Sequence, residues 1–237
     1  LSFRRFTGLS SSEKSPDHSA FSRFRDQLIK YGVHDRLFDE LNRQMDAKGL
    51  VLKQGTLIDA TVIEAAPKKP HTNEDGTGGK SPQDSDADWT KKGGKYHFGY
   101  KAHVGVDQGS ELVRRISLTP AHVHDGNMFE SALSGDEDWV FADKAYDSNK
   151  NHKILEGKKI ANGILIKGTR KRALTAVEKR CNRILSKLRS PVERVFGTLK
   201  RSYRYCRAKY LGLRKNKLQL TMTCIAYNLR RMEKLCA

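Results

Sequence analysis

Residues 56–63 read T-L-I-D-A-T-V-I, a β-branched run too continuous for a strand with one wet face. It suits a central strand covered on both sides. Asp59 sits in the middle of that run. A lone carboxylate in a buried strand costs several kcal/mol unless it is paired or bound to a cation. A cap or turn hydrogen bond is the plain structural explanation, but it suits strand ends better than mid-strand. The chain must therefore build a covered sheet and bring a positive charge to its middle.

A second acid stands in a similar setting. D-W-V-F-A-D-K-A-Y-D-S at 138–148 predicts a short strand ending at Asp143, with Trp139, Phe141 and Asp143 on one side. The edge of an open α/β sheet, beyond its strand ends, is where sites are usually built.

The third acid, Glu193, is the only one between Glu178 and Glu233, and every other charge around it is basic. With 183–200 taken as helical at roughly 100° per residue, Lys200 falls about 20° and Arg189 about 40° from Glu193. Leu185, Leu188, Val192, Val195 and Leu199 form the neighbouring apolar stripe. Such a helix docks on a core and shows one carboxylate flanked by cations. Pro191 admits a second reading, because proline belongs in a first turn. Ser190-Pro-Val-Glu193 would then be a capping box, which explains Glu193 without chemistry. Both readings are compatible, since a cap fixes where a carboxylate points.

The remaining segments read as follows. Pro16-Asp17 opens a helical stretch with Phe21, Phe24, Leu28 and Ile29, then Leu37, Phe38, Leu41 and Met45, a small helical region within residues 1–48. The chain opens at Leu1 without an initiator Met, so a preceding piece is expected to be missing. Residues 67–95, rich in Pro and Gly, predict a mobile loop with Asp84, Asp86 and Asp88 in water and Trp89 as an anchor. Residues 96–120 predict a hairpin turning at Q-G-S. His122 and His124 have H-x-H spacing but lack the further ligands zinc requires. A helix (148–157), a strand (160–167), a helix (174–187) and a final helix (216–235) complete the pattern.

Charge decides the partner class. From Lys150 onward there are 25 Lys and Arg against 4 Asp and Glu; before it, 20 against 23. That one-sided excess is the footprint of a polyanion. No window approaches 18 consecutive apolar residues, no basic amphipathic helix suits a lipid surface, and no signal peptide is visible, so a cytoplasmic protein without membrane contact is expected. Four cysteines without C-x-x-C spacing suit a reducing compartment.

Carboxylates are the ligands Mg²⁺ prefers, and two such ions can serve an in-line phosphoryl displacement. L-I-D-A-T at 57–61, F-G-Y-K-A-H at 98–103, A-D-K-A-Y-D-S at 142–148 and R-x-x-x-E-x-x-x-x-x-x-K from Arg189 to Lys200 together resemble bacterial insertion-sequence transposases of the DDE class. The insertion-sequence-five branch is the nearest match, and the resemblance covers most of the chain. It implies an α/β (α+β) fold: an RNase-H-like mixed sheet flanked by helices at 49–237, with the mobile loop at 67–95, behind a helical N-terminal region at 1–48 that contributes DNA or dimer contacts. By matching motif, Asp59, Asp143 and Glu193 are the catalytic and metal-binding triad, served by two Mg²⁺ or Mn²⁺ ions. Arg189 and Lys200 take the motif's cationic places, whereas Ser186 stands where the family pattern has tyrosine.

The resemblance further implies cutting of a phosphodiester at the element's end and joining of the exposed 3′-OH to target DNA. Double-stranded DNA, as transposon ends and target, is the expected partner, with Arg194, Arg201 and Arg204 added to Arg189 and Lys200 as phosphate contacts. Pairing two ends implies a homodimer, and a bacterial cytoplasmic protein at the nucleoid. Two rivals stand beside this: a domesticated DNA-binding protein with structural acids, and an RNase-H-like nuclease that cuts without joining.

Overall fold

The computed structural model describes residues 4, 5, 7–10, 12–71, 78–169 and 172–236. Its centre is β1, Thr56–Glu64. Alternate residues of β1 enter different cores, as a two-sided strand requires. Leu57 and Ile63 pack with Phe141, Val192 and Leu199 on one face. Ile58 packs with Phe129, Val140 and Leu155 on the other.

Five further strands surround β1. β3 (Lys95–Asp107) lies antiparallel to it, with Asp59 opposite Val104. On its other side β5 (Trp139–Ala142) runs parallel, followed by the parallel β6 (Ala161–Ile164). The free edge of β3 is shared end to end: β2 (Asp88–Lys92) pairs its first half and β4 (Val113–Pro120) its second. The order β4-β3-β1-β5-β6, with helices on the sheet, is that of an RNase-H-like core.

Helices α1 (His18–Lys30) and α2 (Val33–Ala47) precede the sheet. Asp17 caps α1 by accepting from the Ala20 amide at 2.7 Å. The expected apolar face of α1 is largely uncovered, with Phe21 and Phe24 more than half exposed. α2 docks through Phe38 and Met45, and its Asp35 pairs with Lys217 at 2.7 Å. α3 (Asn149–Lys158) joins β5 to β6. The last helix, α6 (Leu213–Cys236), crosses β4, where the Asn228 amide both accepts from and donates to the Val113 backbone. Among the described residues, no helix is long and apolar enough to cross a membrane, and all four thiols are free.

Three sequence expectations need correction. The segment 183–200 is not one helix: α4 (Ala176–Arg189) ends, and α5 (Pro191–Arg201) begins with Pro191 in its first turn. Proline removes a backbone donor and clashes with the preceding turn, so the axis breaks there. Nor is Ser190 a side-chain cap. Its hydroxyl donates backwards to the Lys187 carbonyl, and the capping box in this region is Thr175 with Glu178. Finally, 67–95 is not a solvated loop throughout. It contains β2, and its acids work: buried Asp84 accepts from the Tyr100 hydroxyl (2.7 Å) and the Gly212 amide (3.2 Å), and Asp86 accepts from Leu213. Asp88 pairs with His122 at 2.8 Å. The Asp84 and Asp86 contacts seat the start of α6, which begins at Leu213, before Asn216. Residues 72–77 of that stretch lie outside the described residues.

Gly99 shows what the F-G-Y-K-A-H motif requires. A Cβ there would lie 2.2 Å from the Ile63 carbonyl and 2.6 Å from the Ala65 amide, backbone atoms that cannot yield. Gly99→Ala is expected to cost at least about 2 kcal/mol in urea unfolding. Gly79→Ala, with open space around it, should stay well under about 1 kcal/mol. Equal costs would contradict this packing.

His103 in the same motif is buried, donating to or accepting from Thr119 at 2.9 Å, and burial lowers its pKa from 6.5 to about 4. The unfolded chain therefore takes up its proton first as the pH falls. Stability is lost from pH 6.5 down to about 4, by on the order of 3 kcal/mol, and is unaffected above. His103→Gln removes that component. Its stability deficit against wild type should shrink by about 2–3 kcal/mol between pH 7.5 and pH 4.5; a constant deficit would contradict a neutral buried imidazole.

Candidate active site

The last paired residues of β1 and β5 are Ile58 and Ala142. One step further along each strand stand Asp59 and Asp143. Adjacent strands lie about 4.8 Å apart, and residues in register point to the same face. The two carboxylates are therefore neighbours, on the face that carries Leu57, Phe141 and α5. β5 stops there because Asp143 turns back to accept from the Lys144 amide at 2.7 Å, opening a short helical turn at 144–146. Beyond this point the β5-side edge of β1 is left open, and a cavity of about 170 Å³ occupies it. Asp59, Thr61, Lys92, Lys101, Asp125 and Asp143 are among its walls.

Arg189, the last residue of α4, meets the cost of burying Asp59. Its guanidinium donates to Asp59 Oδ2 at 2.9 Å and reaches Glu193 Oε1 at 3.4 Å. The other Asp59 oxygen accepts from the Ala60 amide at 2.8 Å. The carboxylate is largely covered, with its side chain about 24% exposed, and this burial raises its pKa; Arg189 and the Ala60 amide pull the other way. Arg189 and Glu193 are four residues apart, across the Ser190-Pro191 junction, a spacing that keeps the two side chains neighbours and lets one arginine serve both acids.

Glu193 is two-thirds exposed and lies across Arg189 from Asp59. Among the described residues, no group of three or more His, Cys, Asp or Glu is gathered closely enough to hold a metal ion. The donors still suit one. Mg²⁺ binds through one or two carboxylates, keeps several waters and takes phosphate oxygens from its substrate, and Asp59 and Asp143 supply such a pair beside open space. Tyr146 adds a buried polar group within the field of these acids. Its hydroxyl is buried without a hydrogen-bond partner among the described residues. Burial first, and then the charges of Asp59, Asp125 and Asp143, push that phenol well above its usual pKa range.

The expected phosphate contacts divide into separate groups. Lys200 is half-buried on the side of Lys92; burial, and then that neighbouring charge, lower its pKa. Arg194 points elsewhere: it pairs with Glu111 in a basic groove that includes Arg230, Arg231 and Lys234. Arg201 and Arg204 are exposed, and Ser186 is exposed on α4. Sequence reading did not single out Asp125, Lys101, Lys91, Lys92 or Tyr146. Lys101 pairs with Asp125 at 3.0 Å. Lys101 and Tyr146 lie within two of the quoted motifs, which was the available signal.

Residues 52–229 match the family model described as "Transposase DDE domain". The transposase for insertion sequence element IS1106 from Neisseria meningitidis serogroup B is 36% identical over 220 residues, covering 88% of this chain and 76% of that relative. No solved structure matches the chain.

The Asp59–Arg189 contact is measurable without divalent ions. Arg189→Gln strands a buried carboxylate and should cost on the order of 2–3 kcal/mol in urea unfolding. Combined with Asp59→Asn, the loss should fall short of the sum by about 1–2 kcal/mol. Additive losses would mean that the two side chains do not support each other.

Proposed function

Because the chain belongs to the family of transposases with a DDE domain, we propose that it cuts DNA at the ends of a transposable element and joins the freed ends to a target. The observation that carries this reading is the placement of Asp59 and Asp143 side by side, at an open sheet edge, within a cationic surround.

In the first step, water attacks the phosphorus at the element's end, the bond to the 3′ oxygen breaks, and that oxygen takes up a proton as the water loses one. In the second, the new 3′-OH attacks a target phosphorus and displaces the target's own 3′ oxygen. Asp59 and Asp143 would hold a divalent cation, Mg²⁺ or Mn²⁺, with Glu193 completing the donor set once Arg189 releases it. Such ions, when bound, supply Lewis acidity at the attacking and departing oxygens. Arg189 and Lys200 neutralise the phosphodiester, and Arg201 and Arg204 extend its path. Residues 49–237 form the catalytic domain and residues 1–48 an accessory helical region. Holding two ends makes the working unit a homodimer.

The test uses a duplex carrying the element's terminal repeat. Asp59→Asn and Asp143→Asn should each lower Mg²⁺-dependent end cleavage by at least about 10³-fold, equivalent to about 4 kcal/mol of barrier. DNA affinity should change little. Cleavage unaffected by either change would refute the assignment. A wild-type protein that cuts but never joins a pre-cut end would be a nuclease instead.

A further inference from the structure

We propose that the β2–β3 hairpin is a phosphodiester clamp, in which Lys91 and Lys92 grip the backbone of the DNA strand lying at the Asp59–Asp143 cavity. This rests on the DNA-cutting reading above and adds residues that no motif of the chain assigns.

The hairpin is built to hold its lysines in place. β3 outruns β1, whose pairing ends at Glu64 opposite Gly99, so β2 and the first residues of β3 project beyond the sheet. Gly93 and Gly94, with φ of 57° and 78°, make the two-residue turn whose twist fits a hairpin. Lys92 and Lys95 close the ladder beside it. The base is secured three ways. Trp89 packs on Phe98 with ring centres 5.2 Å apart, His97 meets Glu64 at 2.6 Å, and Lys69 donates to the Tyr96 carbonyl at 2.9 Å. Lys91 and Lys92 therefore reach the cavity wall in fixed register.

The charges there are unbalanced. Arg189 has Asp59 and Glu193, and Lys101 has Asp125. Among the described residues, no carboxylate comes within ion-pair distance of Lys92 or Lys200. Lys91 lies 5.0 Å from the centre of the Tyr96 ring, which is no counter-charge. Lys92 and Lys200 are close enough for Lys92 to disfavour the charged form of Lys200. Lys92 and Lys200 feel Asp59 and Glu64 only at a distance, so the repulsion between the two lysines is relieved further when another anion arrives beside them. A backbone phosphate suits them, because lysine binds phosphate as a flexible point charge without regard to base sequence.

The test compares Lys91→Gln/Lys92→Gln with Lys153→Gln/Lys158→Gln on α3, which removes the same charge from exposed positions away from this cavity. Binding of a pre-cut duplex end is followed by fluorescence anisotropy from 50 to 200 mM salt, without divalent ions. Two lost phosphate contacts should reduce the slope of log K against log salt by about 1.8. The hairpin variant's KM for the pre-cut end should rise on the order of tenfold with kcat held within about twofold, as loss of uniform binding requires. Lys91→Arg/Lys92→Arg should restore both. An unchanged slope and KM, or an equal loss in the α3 pair, would overturn the clamp. If wild-type protein neither binds such ends nor cuts a duplex carrying the terminal repeat, the DNA-cutting reading fails and the clamp with it; if wild type acts and the hairpin variant matches it, only the clamp falls.

Discussion

A carboxylate embedded in a strand buried on both faces has to be neutralised, and the folding around β1 follows from that. Asp59 cannot retreat to water, because Leu57, Ile58 and Ile63 fix the strand in two cores. Its charge is met by Arg189 at 2.9 Å. Removing one member of a buried pair is far costlier than the pair is worth in net stability. The arginine therefore reads as a holder of a charged site more than as a source of stability. It also spans to Glu193, so one cation stands between the two acids.

The open edge of β1 comes from how β5 ends. Parallel strands that stop together leave a crevice beyond their carboxyl ends, and sites collect there. Here Asp143 is both the first residue beyond β5 and the acceptor that starts the next turn. The same side chain ends the strand and faces the cavity. α5 closes the opposite side with Val192, Val195 and Leu199 against Leu57 and Phe141, which places the Arg189–Glu193 pair at the cavity's border.

Much of this was legible in the residues, for identifiable reasons. The two-sided pattern of 56–63 and the short apolar run before Asp143 are local signals, and local signals place strands. Other features depend on contacts distant in sequence. Nothing near Asp84 says that it will accept from Gly212, 128 residues away. In the same way, Lys91 and Lys92 look like a solvated turn until β3 is seen to outrun β1. Around Pro191, the start signal was read correctly but its chemistry was not. Ser190 entered with helical backbone angles, φ −52° and ψ −28°, where a capping hydroxyl cannot reach forward, so it bonded backwards to Lys187. Arg194 shared a sequence neighbourhood with Glu193 yet followed the helix round to Glu111.

The central claim is that Asp59 and Asp143 hold a divalent cation at a position that Arg189 guards. Anomalous scattering from crystals soaked in manganese chloride addresses it directly. The expected result is a manganese peak about 2.0–2.2 Å from a carboxylate oxygen of each aspartate, with the Arg189 guanidinium moved off Asp59. Crystals that take up manganese elsewhere, or that leave Arg189 on Asp59 with no peak between the two acids, would contradict it.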